Sequence, residues 1–166
     1  MIIAVDVHYR GSAAKAVSIE FNDWEDEIPH RINTVEINIF AEYASGEFYK
    51  RELPGIMKVL RKSDLNQVEA ILVDGYVILN DEGKPGLGGY LFHELNKKIP
   101  VIGIAKNPYR NNKKKVREVY RGFSKRPLFV SCLGMGLEEA AEKVSRLRGN
   151  FRIPTLLKWV DRETKK

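Results

Sequence analysis

IIAVDVHY (residues 2–9) is the first of three predicted β-strands, and AAKAVSIEFN (13–22) and TVEINIFAEY (34–43) follow it closely. All three are rich in β-branched and aromatic residues, and the third alternates apolar and polar residues, which is the period of a half-buried strand. Only short links separate them. Consecutive strands joined by short links pair in antiparallel fashion, so the first forty residues predict an antiparallel meander.

After the meander the hydrophobic period changes. Pro54 stands where a helix is expected to begin, and AILVDGYVI (70–78) is a continuous apolar run, typical of a strand covered on both faces. The further predicted elements are a glycine-rich loop (80–89), a helix (91–98), strands (100–107 and 127–133), a helix after Gly136 and a short helix after Pro154. Alternating strands and helices after a meander predict one α/β domain with a mixed sheet, spanning residues 1–166.

Composition excludes several classes of protein. The 166 residues are 43% hydrophobic and 30% charged, which is the balance of a globular chain and not of a disordered one. A lone cysteine, Cys132, excludes an internal disulfide framework and a cysteine-rich zinc site. The start MIIAVDVHY has no basic region, and Asp6 interrupts its apolar run. We therefore expect an intracellular, cytoplasmic protein with no membrane association.

The positive charge of the chain is concentrated in residues 106–126, here called the basic segment. The net charge of the chain is +6, but this segment carries +8 and the remainder −2. Its basic residues are Lys106, Arg110, Lys113, Lys114, Lys115, Arg117, Arg121, Lys125 and Arg126. A solvated charge run is the commoner explanation of such segments. Here Tyr109, Tyr120 and Phe123 are interleaved with the cations, which favours contact with a polyanion.

Two carboxylates lie inside apolar strands, where an unpaired charge is costly. Asp6 and Asp74 each interrupt such a run, and Glu52 stands just before Pro54, at a predicted strand-to-helix junction. A structural pair with Lys or Arg, or a strand end facing water, would explain one buried Asp. Two of them favour a shared Mg²⁺ or Mn²⁺, as in phosphodiester-cleaving sites. Up to this point a nuclease, a transferase and a binding module all remain open.

Five short motifs, in this order along the chain, resemble those of the endonuclease V family, a branch of the ribonuclease H-like fold. They are AVDVHY (4–9), Tyr43–Pro54, Val73–Gly75, Pro100–Lys106, and Gly149–Pro154 followed by Asp161. Each motif alone is weak, whereas five in the right order and spacing are specific. The resemblance implies a ribonuclease H-like mixed sheet flanked by helices. It also implies metal-dependent hydrolysis of one phosphodiester bond near deaminated adenine, which is hypoxanthine in DNA or inosine in RNA.

The resemblance also implies roles for individual residues. Asp6 and Asp74 would hold the metal, Glu52 would be a further acid that orients the attacking water or a metal-bound water, and Asp161 would complete the acidic cluster. Lys106 would contact the phosphate at the cut.

Three more positions correspond to base recognition in the family. Tyr43 with Gly46 would fill the space that a flipped base leaves, and Gly75 would line the base pocket. Backbone contacts away from the cut are expected from the basic segment, at Arg110, Lys113, Lys114 and Lys115.

The chain also departs from the family pattern. Ser45 replaces the wedge proline, and Tyr76 and Tyr90 stand near positions where the family has histidine. Lesion preference and the choice between DNA and RNA therefore stay open. Two alternatives also remain: a catalytically weak nucleic-acid-binding relative, and a ribonuclease H-like nuclease for a different, structured substrate. A monomer is the expected state.

Overall fold

The computed structural model describes residues 1–38 and 48–166, which form seven strands and four α-helices. The strands are β1 (Ile2–Arg10), β2 (Ala13–Phe21), β3 (Arg31–Asn38), β4 (Ala70–Asp74), β5 (Val101–Ala105), β6 (Arg117–Val119) and β7 (Leu128–Leu133). The helices are α1 (Phe48–Leu60), α2 (Leu87–Glu94), α3 (Leu137–Arg146) and α4 (Thr155–Thr164). None of the helices in this part of the chain has the length and apolarity that crossing a lipid bilayer requires.

The seven strands form one mixed sheet in the order β3-β2-β1-β4-β5-β7-β6. β1, β2 and β3 pair in antiparallel fashion, so the predicted meander is confirmed. β4 pairs in parallel with β1, and β5 in parallel with β4. β7 then reverses direction against β5 and carries β6 on its other side. The carboxyl ends of β1, β4 and β5 consequently lie side by side at one edge of the sheet.

Helices cover both faces of the sheet and give two hydrophobic cores. Ile2 and Ala4 of β1 pack on the face that α3 and α4 cover, while Ile3 and Val5 pack on the face that α1 and α2 cover. This alternation is the period of a strand. Because both faces are buried, the central strands read as continuous apolar runs, as the sequence of 70–74 indicated. The strand predicted over 70–78 ends at Asp74, so this carboxylate lies at the exposed end of β4 and not inside a buried strand as predicted.

One helix begins earlier than predicted. Pro54 lies inside α1, which starts at Phe48, so the prediction that this proline begins the helix is wrong. Proline removes one N–H bond from a helix interior and usually bends or ends it. Here Ile56 and Leu60 are buried against the sheet and Leu53 packs on the same core, and this packing outweighs the lost hydrogen bond. The predicted third strand begins at Arg31, and its residues 39–43 lie outside the described part of the chain.

Two other regions differ from the predicted pattern. The helix expected at 91–98 spans Leu87–Glu94, because glycines at its start let the backbone approach Val77 closely. A Cβ on Gly88 would lie 2.6 Å from Val77 Cγ2. The basic segment contains the short strand β6, which its charge pattern concealed.

Candidate active site

Strand pairing brings the two strand carboxylates together. Val5 of β1 pairs with Val73 of β4, so Asp6 and Asp74, the next residue on each strand, lie side by side at the carboxyl edge of the sheet. Asp74 in turn pairs with Ile104 of β5, two residues before Lys106. Both carboxylates line one cavity, which we call the acidic cavity. Its lining residues are Val5, Asp6, Asp74, Ile104, Lys106, Leu128, Ile153, Leu157, Lys158, Val160 and Asp161.

Asp161 reaches this cavity from the other end of the sequence. It lies on α4, which packs against β1 and β2 through buried Leu156 and Val160. Lys165 Nζ, one turn further along the helix, lies 2.8 Å from Asp161 Oδ2. The predicted fourth acid therefore faces the same space as the two strand carboxylates.

Burial and repulsion between carboxylates raise the pKa of two acids, Asp6 and Glu52. Burial, together with repulsion from the neighbouring Asp74 and Asp161 carboxylates, raises the pKa of Asp6 to about 7. Burial likewise raises the pKa of Glu52 to about 7, with added repulsion from Asp6 and Asp74. Three carboxylates and two lysines, Lys106 and Lys158, line the acidic cavity, and Lys165 pairs with one of the three carboxylates.

Glu52 belongs to this group electrostatically, but it does not sit at a strand-to-helix junction as predicted. It lies within α1, in the second turn, because the helix begins before it. The neighbouring Arg51 packs its guanidinium carbon 4.4 Å from the centre of the Tyr9 ring. Packing of α1 against β1 therefore carries Glu52 to the carboxyl end of that strand.

Lys106 is the cation that pairs with the strand carboxylate Asp74. Its Nζ lies 3.4 Å from Asp74 Oδ2, and both side chains are about half exposed, at 48% and 53%. An ammonium held at the mouth of a carboxylate cavity is available to a phosphate. Among the described residues, no three His, Cys, Asp or Glu side chains already stand as a group that could hold a metal ion. The donor chemistry nevertheless fits a hard cation such as Mg²⁺, because the acids at the cavity are carboxylates, whose oxygens such a cation prefers.

The expected base-recognition residues have different outcomes. Tyr43 and Gly46 lie outside the described residues. Gly75 adopts a φ of +104°, a backbone conformation that favours glycine, and turns the chain away directly after Asp74. Gly103 lies so close beneath this turn that a Cβ there would be 2.5 Å from the Gly75 carbonyl oxygen. Glycine at both positions lets the backbone at the edge of the cavity pack tightly.

The basic segment does not act as one strip. Arg121 is 5% exposed and donates hydrogen bonds to backbone carbonyls of residues 147–152, so it is a structural residue. Arg117 pairs with Glu138 of α3. By contrast Arg110 and Lys113–Lys115 are exposed, and the backbone N–H groups of Lys113 and Lys114 donate to Asp81 Oδ1 at 2.8 and 2.7 Å. Only part of the +8 charge is therefore free to meet a polyanion.

Two cations at the site were not predicted. Lys158 lines the acidic cavity three residues before Asp161, on the same face of α4. Helical spacing from Asp161 was the signal that could have identified it. Arg152, within the Gly149–Pro154 motif, donates hydrogen bonds to the carbonyls of Pro127 and Lys106. It fastens the loop before α4 to the backbone of Lys106.

His30 and Cys132 do not line the acidic cavity. His30 pairs with Glu20 at 3.5 Å. Cys132 is buried, and burial raises the pKa of its thiol to about 11, which agrees with an unreactive core residue.

Comparison with known families decides to which family the chain belongs. The endonuclease V family model matches residues 1–123, about three-quarters of the chain. The chain belongs to the endonuclease V family. Membership indicates a nuclease, and the predicted resemblance is confirmed. No curated protein sequence matches the chain significantly.

Solved structures agree with an endonuclease V fold. The chain matches Ciona intestinalis endonuclease V, solved with DNA containing an inosine followed by a ribo-adenosine, with a TM-score of 0.80 and 19% identity, over 99% of this chain and 84% of that one. It matches human ENDOV with a TM-score of 0.72 and 23% identity, over 99% and 82%. Bacillus subtilis endonuclease V matches with a TM-score of 0.74 and 19% identity, over 99% and 78%. The predicted ribonuclease H-like mixed sheet is confirmed.

Proposed function

We propose that this endonuclease V family member is a Mg²⁺- or Mn²⁺-dependent nuclease. On this proposal it hydrolyses one phosphodiester bond near deaminated adenine, as hypoxanthine in DNA or inosine in RNA. The convergence of Asp6, Asp74 and Asp161 with Lys106 on one cavity carries the proposal. The inosine-containing DNA bound by the Ciona relative supports the choice of lesion. Exposed cations of the basic segment beside the cavity support a nucleic-acid substrate in general.

The carboxylates would hold the metal, and each has a distinct place in the fold. Asp6 and Asp74 come from neighbouring strands, Asp161 from α4 and Glu52 from α1, so residues of four elements would hold the cation. Such an ion neutralises charge on the attacked phosphate and activates water. The raised pKa values of Asp6 and Glu52 support this assignment, because a bound cation would offset the burial and the repulsion that raise them.

The chain's own residues would bind and orient the strand. Lys106 Nζ, now 3.4 Å from Asp74 Oδ2, would donate to a nonbridging oxygen of the phosphate to be cut. Glu52 would accept a hydrogen bond from the attacking water and orient it. Tyr43 with Gly46 and the backbone at Gly75 would receive or replace the flipped base. Arg110 and Lys113–Lys115 would hold phosphates further along the strand.

The proposed unit of function is the single domain 1–166, acting as a monomer, because the acidic cavity is built from one chain. Its substrate is a cellular nucleic acid, and we propose a cytoplasmic location for this reason.

The test is metal-dependent nicking of labelled strands that differ only in one inosine, prepared as DNA and as RNA. We expect cleavage of the inosine strand with Mg²⁺ or Mn²⁺, no cleavage in EDTA, and none by Asp74→Ala. Asp161→Asn should also lose activity, whereas Glu163→Gln on the same helix, which pairs with Lys166, should keep it.

Two outcomes would favour the alternatives. Binding without nicking by the unaltered protein would indicate a nucleic-acid-binding relative. Nicking without preference for inosine would indicate a nuclease for a different, structured substrate.

A further inference from the structure

Two phenylalanine rings are exposed beside the acidic cavity. Phe123 is 96% exposed and Phe151 is 67% exposed, and both line one shallow groove. Phenylalanine is usually buried, and neighbouring exposed rings mark interaction surfaces more often than single exposed residues do. Neither ring takes part in the function proposed above.

The two rings stand on turns that are fastened together. Arg121 donates to the carbonyls of Phe151 and Arg152 at 2.9 and 3.2 Å, and also to those of Leu147 and Gly149. At the next residue, Gly122, φ is +54° and a Cβ would collide with the neighbouring turn. The phenylalanines are therefore presented by a rigid base, which lowers the ordering cost of binding.

The same groove adjoins the acidic cavity. Ile153 and Lys158 line both of them. Lys158 Nζ lies 4.3 Å from the centre of the Phe151 ring, a cation–π distance. Arg152, which also lines the groove, is hydrogen-bonded to the carbonyl of Lys106. A ligand that extends from the acids along the protein in this direction would pass over the aromatic rings.

We propose that Phe123 and Phe151, with Lys158 between ring and cavity, form an aromatic shelf on which unpaired bases of the substrate strand stack. A strand of nucleic acid offers a π-face at every base and a phosphate at every step, which matches rings set among cations. Two exposed rings are too small an apolar area for a stable protein interface. The inference rests on the proposed function, and it adds that the strand is unpaired on this side of the cut.

The test compares binding of single-stranded and duplex substrate by fluorescence anisotropy in EDTA, where no cleavage occurs. The probe is a fluorescein-labelled inosine-containing strand, alone or annealed to its complement. We expect the double variant Phe123→Leu with Phe151→Leu to bind the single strand about tenfold more weakly, since stacking contributes strongly per base. Duplex binding should change less, because paired bases have no free faces.

Two controls separate stacking from other effects. Phe151→Trp keeps a stacking ring, so it should retain affinity. Oligo(dT) should quench its emission more than that of the unaltered protein, which already contains Trp24 and Trp159. Ile32→Ala removes another exposed apolar side chain, on β3, and should leave binding unchanged. The proposed shelf would be overturned if the double leucine variant lost equal affinity for single strand and duplex, or lost no affinity at all.

The outcome for the shelf is distinguishable from that for the proposed nuclease. If the unaltered protein nicks inosine strands but the leucine variant binds and cuts like it, only the shelf is wrong. If Phe151→Trp emission is quenched by oligonucleotide while no nicking occurs, the shelf stands and the nuclease proposal fails. Self-association that the leucine substitutions abolish, with oligonucleotide binding unchanged, would instead assign the rings to a protein interface.

Discussion

The acidic cavity and the basic segment differ in how the fold arranges their charged side chains. The cavity gathers carboxylates from β1, β4 and α4, with Glu52 of α1 close enough to repel them, although bringing them together raises the pKa of two. The basic segment divides its cations instead. Arg121 and Arg117 receive partners inside the protein, while Arg110 and Lys113–Lys115 face solvent.

The difference teaches how to distinguish charge that acts on a substrate from charge that stabilises the fold. Buried carboxylates that are held close together are costly to ionise, which marks them as candidates for binding a ligand. Charges that have found carbonyls or carboxylates already stabilise the fold. Of the basic segment, only the exposed cations remain for a polyanion.

The largest expected effect comes from removing one carboxylate of the acidic cavity, which tests whether the cavity acts on the substrate. Asp6→Asn should lower metal-dependent nicking at least about 1,000-fold, because charge stabilisation by a bound metal is worth several kcal/mol. Single-turnover cleavage of an inosine-containing strand measures it. Glu36→Gln, at an exposed acid of β3, is the matched control and should cut normally. Full activity of Asp6→Asn would show that the cavity is not the reaction centre.

A second change tests whether Arg121 is structural. Arg121→Met leaves buried carbonyls without donors and should lower the free energy of unfolding by roughly 2–4 kcal/mol. Urea denaturation measures this loss. Arg110→Gln removes an exposed cation of the same segment and should leave stability unchanged while it lowers the salt dependence of DNA binding. Equal effects of the two substitutions on the free energy of unfolding would show that Arg121 is no more structural than the exposed Arg110.

The third effect is on stability as a function of pH in metal-free protein. Asp6 and Glu52 have folded-state pKa values of about 7, above those of the unfolded chain, so the folded state binds more protons between about pH 4 and 7. Stability should therefore fall as pH rises through this window, and Tm in EDTA should drop by several degrees. Mg²⁺ should restore it above pH 7. A Tm that rises with pH between about pH 4 and 7 would contradict the raised pKa values of Asp6 and Glu52 in the folded protein.

The smallest effect concerns the exposed lysines. Replacing Lys113, Lys114 and Lys115 by Gln should reduce the slope of log Kd against log salt by about 2–3, roughly one released counterion per lost phosphate contact. Binding should weaken similarly for strands with and without inosine. Lys97 and Lys98, exposed at the opposite end of β5, provide the control pair. An unchanged slope of log Kd against log salt for the 113–115 variant would show that these lysines are solvated and do not contact phosphates.

Much of the fold was predictable because its signals are local. Period-two alternation in the first forty residues identified the meander, and continuous apolar runs identified β4, β5 and β7. The short strand β6 was missed, since Arg117–Val119 is too short and too charged to stand out from its surroundings. The early start of α1 was missed because proline is normally found near a helix start, and only packing of residues after it explains the exception.

The site was predictable in part for a similar reason. An aspartate inside an apolar strand is anomalous on its own, so Asp6 and Asp74 stand out from residue type and position along the chain. Lys158 does not, because a lysine on an amphipathic terminal helix is ordinary until the helix is packed beside the acids. From the sequence, Arg121 looks like the other cations of the basic segment. The residues next to it in the chain do not indicate that its side chain is buried.

The sequence by itself determined the fold class, the two carboxylates that need a partner and the family to which the chain belongs, because these depend on residue type and spacing along the chain. Tertiary structure alone decided which distant groups meet. Pairing of β1 with β4 sets Asp6 beside Asp74, and α4 returns across the sheet to add Asp161. The same packing buries Arg121 and leaves Phe123 exposed, a distinction that arises only when two turns close against each other.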